Sequence, residues 1–232
     1  MNPPPVNLRH RLEQLHDKIE TLEQRFGRKS GCILLVGVSK RQSFLAIETL
    51  YGLGQKDFAE NYVQEAMIKI KQAKEQQLSI VWHFIGRLQS NKLKNIAHYF
   101  DWVQTIDSIA HAELLNQHRP KELAPLNCCI QISVKEKKPY SKQQLQNLES
   151  LAVAINQLER LCLRGVMCMI PQAADFDQQI SYFAVCRDAY DHLKLTLPFL
   201  DTLSMGMSGD FEAAIANGAT LLRIGTALFG PR

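Results

Sequence analysis

The sequence predicts an α/β fold: a single (β/α)8 barrel of the TIM type with one extra helix at its N-terminus. Two observations carry this. Short apolar runs rich in Ile and Val alternate with longer amphipathic segments, giving eight strand–helix units. No linker, composition break or repeat divides the 232 residues, a length that α/β barrels commonly reach as one domain. The expected domain is residues 1–232. A doubly wound open sheet is the runner-up, and the strand count favours the barrel.

The elements follow in order. Pro3 to Pro5 form a loose lead-in. Leu8, Leu12, Leu15, Ile19, Leu22 and Phe26 then recur at steps of four and three, one stripe of a helix that Gly27 closes. The first strand runs through Ile33–Val38 and ends at Lys40, and Ser43 caps the next helix. Strands at Lys56–Ala59, Val81–Ile85, Trp102–Ile106 and Asn127–Val134 follow. The helices after them carry Val63–Ala73, Leu93–Ala97, a segment capped by Asp107 or Ser108, and Leu145–Ile155, with a polar loop KEKKPYSK before the last. Leu161–Met169 is the sixth strand, Thr202–Ser204 the seventh and Thr220–Ile224 the eighth. A helix of about Phe211–Asn217 lies between the last two, capped by Ser208 or Asp210 and stopped by Gly218.

Composition bounds the function. With 46% hydrophobic and 22% charged residues the chain is globular, and a net charge of +4 with scattered basic residues argues against nucleic acid. It suits an anionic small ligand. None of the six cysteines forms a CxxC pair, and no His/Cys grouping has metal spacing, so they read as reduced thiols of a cytoplasmic protein. No segment reads as a secretory signal or a membrane span.

The chemistry gathers at one rim. Strand side chains alternate, so Lys40 shares a face with Val36 and Val38 and points inward at a strand's carboxyl end. In a barrel that rim collects Lys40, Asn61, His83, Ser204, Ser208, Arg223, Gly225 and Thr226. SMGMSGD and RIGT follow strands seven and eight, where barrels often seat phosphate. An imine-forming lysine facing an anion cradle is what pyridoxal 5′-phosphate (PLP) requires. Each residue also has a structural role open to it: His83 as a hydrogen-bonded core residue, Asn61 as a turn residue, Arg223 as a strand-end arginine. An aldolase-like barrel using Lys40 as a Schiff-base nucleophile on a sugar phosphate is a further alternative.

The strings LVGVSK, DFAENYVQE, WHFIGRLQSNK, LSMGMSGDFEAAIANGAT and RIGTALFG, spread from Leu34 to Gly230, closely resemble the PLP homeostasis proteins, which are similar to the barrel domain of alanine racemase. The resemblance implies a fold-type III barrel with PLP held on Lys40 as an internal aldimine. It implies phosphate contacts from Ser204, Ser208, Gly225 and Thr226, Arg223 facing the pyridine nitrogen, and Asn61 near the ring. It further implies a monomeric protein that buffers or delivers this form of vitamin B6, with PLP-dependent apoenzymes as recipients and no catalytic residue. The alternative is a PLP-dependent amino-acid racemase-like enzyme. Racemisation needs a second base, which related racemases take from a second domain. The sequence stops at Arg232, so none is expected here. The chain departs from the family pattern at Ala59, where glycine is usual, at SKRQS in place of SKTKP, and in KEKKPYSK, which lacks a lysine–serine–glycine pattern.

Overall fold

The computed structural model describes residues 7–172 and 175–231. The Pro3–Pro5 lead-in and Arg232 lie outside the described residues. The elements are α1 (Leu8–Arg25), β1 (Leu34–Val38), α2 (Phe44–Gly52), β2 (Asp57–Glu60), α3 (Val63–Glu75), β3 (Val81–Phe84), α4 (Leu93–Tyr99), β4 (Trp102–Ile106), α5 (Ile109–His118), β5 (Leu126–Ser133), α6 (Lys142–Asn156), β6 (Leu161–Met169), α7 (Phe176–Thr196), β7 (Thr202–Ser204), α8 (Phe211–Ala216), β8 (Leu221–Ile224) and α9 (Thr226–Phe229).

All neighbouring strands pair in parallel in sequence order, and β8 returns to β1 through Leu34↔Leu221, Leu35↔Leu222, Val36↔Arg223 and Gly37↔Ile224. That last pairing closes the sheet and overturns the open-sheet alternative. Strand alternation then sorts the side chains. Val36, Val38, Ala59 and Leu221 form a small cluster separate from the main core, on the inward-facing positions of β1, β2 and β8. Trp102, Cys129 and Met167 form a second such cluster. The large core lies between sheet and helices, where Leu35, Phe58, Ile70 and Phe183 meet their neighbours. Two register shifts break the alternation: β4 carries an extra residue between Val103 and Ile106, and β6 carries one, Arg164, where Cys128 and Cys129 pair with Leu163 and Gly165.

The extra N-terminal helix has a structural reason. α9 is a single turn, too short to cover the sheet beside β8. α1 packs against α2, α8 and α9 and buries Leu12, Leu15, Ile19 and Leu22 there. Its end is set by Gly27 at φ +64°, with Gly27 N–H donating to Gln24 O and Arg28 N–H to Glu23 O, the two bonds of a Schellman turn. Ser43, Ser108 and Ser141 cap α2, α5 and α6 through their hydroxyls. At α8 the cap is Asp210, although its carboxylate accepts from Met207 N–H at 2.6 Å rather than from the helix. All six cysteines are free thiols. No helix among the described residues is long and apolar enough to cross a membrane, and no group of three or more His, Cys, Asp or Glu is placed to hold a metal ion.

Candidate functional site

A cavity of about 1170 Å³ opens at the carboxyl ends of the strands. The residues that enter it lie at or just past the strand ends, where a side chain escapes the packed barrel interior. Lys40 stands two residues after β1, Asn61 one after β2, and Gly225 and Thr226 directly after β8; Ser208 follows β7 on its long loop. Arg223, inside β8, forms part of the wall and is 3% exposed. The sequence reading thus finds six of its candidates, Lys40, Asn61, Ser208, Arg223, Gly225 and Thr226, around one cavity.

Two expected rim residues sit elsewhere. Ser204 is the last residue of β7 rather than a residue beyond it, and it is fully buried and does not line the cavity. Its hydroxyl donates to Gln104 Oε1 at 2.7 Å and accepts from Arg223 Nη1 at 2.6 Å. Its one proton is taken by Gln104, and its oxygen is held by Arg223 away from the cavity. His83 lies within β3, fully buried, bonded to Asp57 and Gln104 and stacked on Trp102 with ring centroids 5.2 Å apart. It is the core histidine that the sequence left open.

The β1–α2 turn aims Lys40. Arg41 takes φ +61°, a left-handed conformation uncommon outside glycine, and its N–H donates to Glu65 Oε1 at 2.5 Å. Lys69 Nζ donates to Ser39 O, Glu60 Oε1 and Glu65 Oε1, each at 2.7 Å. Ser39 Oγ donates to Glu60 Oε1 at 2.6 Å. Burial pushes the Glu60 carboxyl up, against the pull of Lys69 and Ser39. These bonds hold the backbone on either side of Lys40 from the outer face of the sheet.

The opposite wall is set by β8 and its neighbours. Arg223 Nη2 donates to Cys168 O at 2.7 Å, completing two anchors for the guanidinium. Burial lowers its pKa; no carboxylate stands within ion-pair distance of it among the described residues. Asp210, on the loop below, is pushed up by burial against the pull of Met207 N–H and Arg223. Ser208 Oγ accepts from Ala227 N–H at 3.1 Å, so the β7 and β8 loops meet at this hydroxyl and its proton remains to be donated. Gly86 is required by close approach: a Cβ there would lie 2.1 Å from Asn61 O. At Gly225 a Cβ would meet Val38 at 3.6 Å, an ordinary van der Waals contact. Asn61 Oδ1 is buried with no hydrogen-bond partner among the described residues, an acceptor aimed at nothing the protein supplies.

Sequence reasoning missed Gln104, Asp57, Thr105 and the Lys69–Glu60 pair. Signals existed for two. Gln104 is an amide inside the otherwise apolar run WVQTI, and Lys69 interrupts the apolar stripe Val63, Ala66, Ile70, Ala73. Thr105, whose hydroxyl donates to Gly86 O at 2.7 Å, reaches the cavity through the register shift in β4, which no sequence pattern announces.

The profile of the alanine racemase N-terminal domain family matches residues 11–232. The pyridoxal phosphate homeostasis protein of Escherichia coli K12 is 44% identical over 227 residues, covering 97% of each chain. That of Pseudomonas aeruginosa PAO1 is 43% identical over 215 residues, 93% of this chain and 91% of the relative. Among solved structures, PipY of Synechococcus elongatus PCC7942 with PLP bound superposes with a TM-score of 0.82 at 31% identity, over 97% of this chain and all of that one. An alanine racemase of Clostridium difficile 630 shares the fold at a TM-score of 0.71 and 14% identity; 97% of this chain covers 57% of it.

Proposed function

The chain belongs to the pyridoxal phosphate homeostasis protein family, built on the alanine racemase N-terminal domain, and from that premise we propose that it binds PLP in the strand-end cavity and buffers or delivers it inside the cell. The observation that carries the proposal is the convergence of Lys40, Asn61, Ser208, Arg223, Gly225 and Thr226 on one cavity. The donor set fits the cofactor. A primary amine suits its aldehyde, two hydroxyls and a glycine backbone N–H suit its phosphate, and a buried donor-only guanidinium suits its ring nitrogen. The orphaned Asn61 Oδ1 supplies an acceptor for a ring substituent. When bound, PLP brings an aldehyde that condenses with an amine and a ring that withdraws electrons.

In this reading Lys40 carries the cofactor, Ser208, Gly225 and Thr226 seat its phosphate, and Arg223 donates to its pyridine nitrogen. A guanidinium stays protonated at ordinary pH and can only donate, so it keeps that nitrogen unprotonated and the ring a poor electron sink. This supports holding over turnover, as does the naming of the relatives as homeostasis proteins. The likeness to alanine racemase is one of fold. Recipients are PLP-dependent apoenzymes and the working unit is a monomer.

The test is an absorbance spectrum of purified, cofactor-loaded protein before and after borohydride, followed by peptide mapping. A visible band that reduction removes, with the label on the Lys40 peptide, is expected. A colourless protein, or a label on a different lysine, contradicts the reading. Rapid multiple-turnover racemisation of alanine by the same sample establishes an enzyme instead.

A further inference from the structure

A line of hydrogen bonds crosses the barrel interior from the Arg223 wall. Arg223 Nη1 donates to Ser204 Oγ at 2.6 Å, and Ser204 Oγ donates to Gln104 Oε1 at 2.7 Å. Gln104 Nε2 stands 3.0 Å from His83 Nδ1, and His83 Nε2 stands 3.0 Å from Asp57 Oδ1. The five residues come from β8, β7, β4, β3 and β2; the Ser204–Gln104 bond is the step that crosses the barrel, between β7 and β4, which are not neighbours in the sheet. Arg223, Ser204, Gln104 and His83 are all buried. Asp57, the first residue of β2, is partly exposed.

The direction of this line is fixed from its head. A guanidinium has only donors, so Ser204 Oγ must accept from Arg223. The one hydroxyl proton of Ser204 then goes to Gln104, whose amide oxygen must face it. That orientation turns the amide NH2 toward His83, so Nδ1 must accept and the ring proton sits on Nε2, facing the Asp57 carboxylate. Turning the amide over would set Nε2 of Gln104 against an oxygen already accepting from Arg223 and leave the serine proton without its partner, buried, at the cost such orphans carry.

We propose that these residues form a one-way relay that positions Arg223 in the cavity wall, with Gln104 as the member that sets its polarity and His83 held with its proton on Nε2. The relay gives a buried cation a distant counter-charge. Every bond is aligned in the same sense, and aligned bonds polarise one another. With Ser204 on Nη1 and the Cys168 carbonyl on Nη2, the guanidinium is fixed at two atoms and turns its remaining N–H groups elsewhere. His83 in turn is held at both ring nitrogens and against the face of Trp102, from which it is tilted by 14°. Arg164 stands 5.1 Å from that same indole ring. The consequence for PLP rests on the proposed function; the polarity of the relay does not.

The experiment has two arms on the same full-length samples. Nitrogen-15 NMR of the cofactor-free protein reads which His83 nitrogen is protonated, with the resonances assigned by their loss in His83→Gln. Absorbance titration with PLP reads affinity and band position. Wild type is expected to show a bare Nδ1 and a protonated Nε2. Gln104→Glu, of nearly the same shape but with acceptors only, is expected to draw a second proton onto Nδ1. Gln104→Leu and Ser204→Ala are expected to weaken PLP binding by about tenfold or more and to shift its visible band, the loss of one bond to a charged group. Ser204→Thr, which keeps the hydroxyl, is expected to stay within about threefold of wild type, since it preserves that bond. A wild-type His83 protonated on Nδ1 and bare on Nε2 overturns the relay. So does a Gln104→Leu protein with wild-type affinity and band position. A wild-type protein that takes up no PLP defeats the proposed function, and the nitrogen shifts still decide the relay.

Discussion

Arg223 Nη1 lies 2.6 Å from Ser204 Oγ, and Ser204 makes this contact from a fully buried position at the end of β7. A serine expected to seat an anion is instead bound to a cation. The two serines of SMGMS therefore divide their work: Ser204 holds the arginine of the wall, while Ser208, four residues on, lines the cavity and ties the β7 loop to the β8 loop.

Lys40→Ala removes the amine that the proposed function assigns to the cofactor. The variant is expected to lose the visible absorbance of PLP-loaded protein while keeping its far-ultraviolet circular dichroism, because Lys40 lies past the strand and lines the cavity. Retention of the band in this variant sinks the assignment.

Ser208 and Thr226 are both placed on the cavity wall. Bonds to a charged group contribute roughly 1.5–3 kcal/mol each. The double variant Ser208→Ala/Thr226→Ala is expected to weaken PLP binding by well over tenfold and to leave the affinity for unphosphorylated pyridoxal nearly unchanged. Parallel titrations of both ligands check this. Equal weakening of both shows that the hydroxyls do not serve the phosphate.

Gly86→Ala forces a methyl to within 2.1 Å of Asn61 O, a backbone atom, and 2.9 Å of Phe84 Cζ. The β2 and β3 ends must part to admit it, a strain of about 1–3 kcal/mol. The unfolding free energy from urea titration is expected to fall by that amount, lowering the midpoint, and PLP affinity with it, because Asn61 moves. A wild-type midpoint would show that the two loops do not press together as described.

Lys69→Met leaves Glu60, fully buried, without the cation that partners it at 2.7 Å. Breaking a buried pair from one side costs about 3–5 kcal/mol. The deficit depends on pH in a defined direction. Burial already raises the Glu60 pKa in the fold, so the folded chain holds this proton more tightly than the unfolded chain does. Stability is lost as pH rises above the usual carboxylate range, and removing Lys69 widens the gap. Urea unfolding is expected to show the largest deficit against wild type at about pH 8 and a smaller one at about pH 5. A deficit that does not change between the two excludes Glu60 as its source.

The sequence by itself determined the number and order of the strands and the helices between them, because those follow from local periodicity and from caps such as Ser43 and Gly27. It also pointed Lys40 inward, by the alternation that puts it on the face of Val36 and Val38, and the side chain keeps that sense two residues past the end of β1. Only the tertiary structure decided that β8 closes onto β1, a pairing between residues at opposite ends of the chain. It likewise decided the depth of each inward residue. Ser204 and His83 lie a layer below the cavity, while Asn61 and Thr226 reach it. Depth depends on how far each strand is staggered against its neighbours around a closed barrel, and on the shift in β4 that lets Thr105 reach the cavity beside the inward-facing Gln104. Stagger is a property of paired strands, and a single strand's sequence carries alternation but not register.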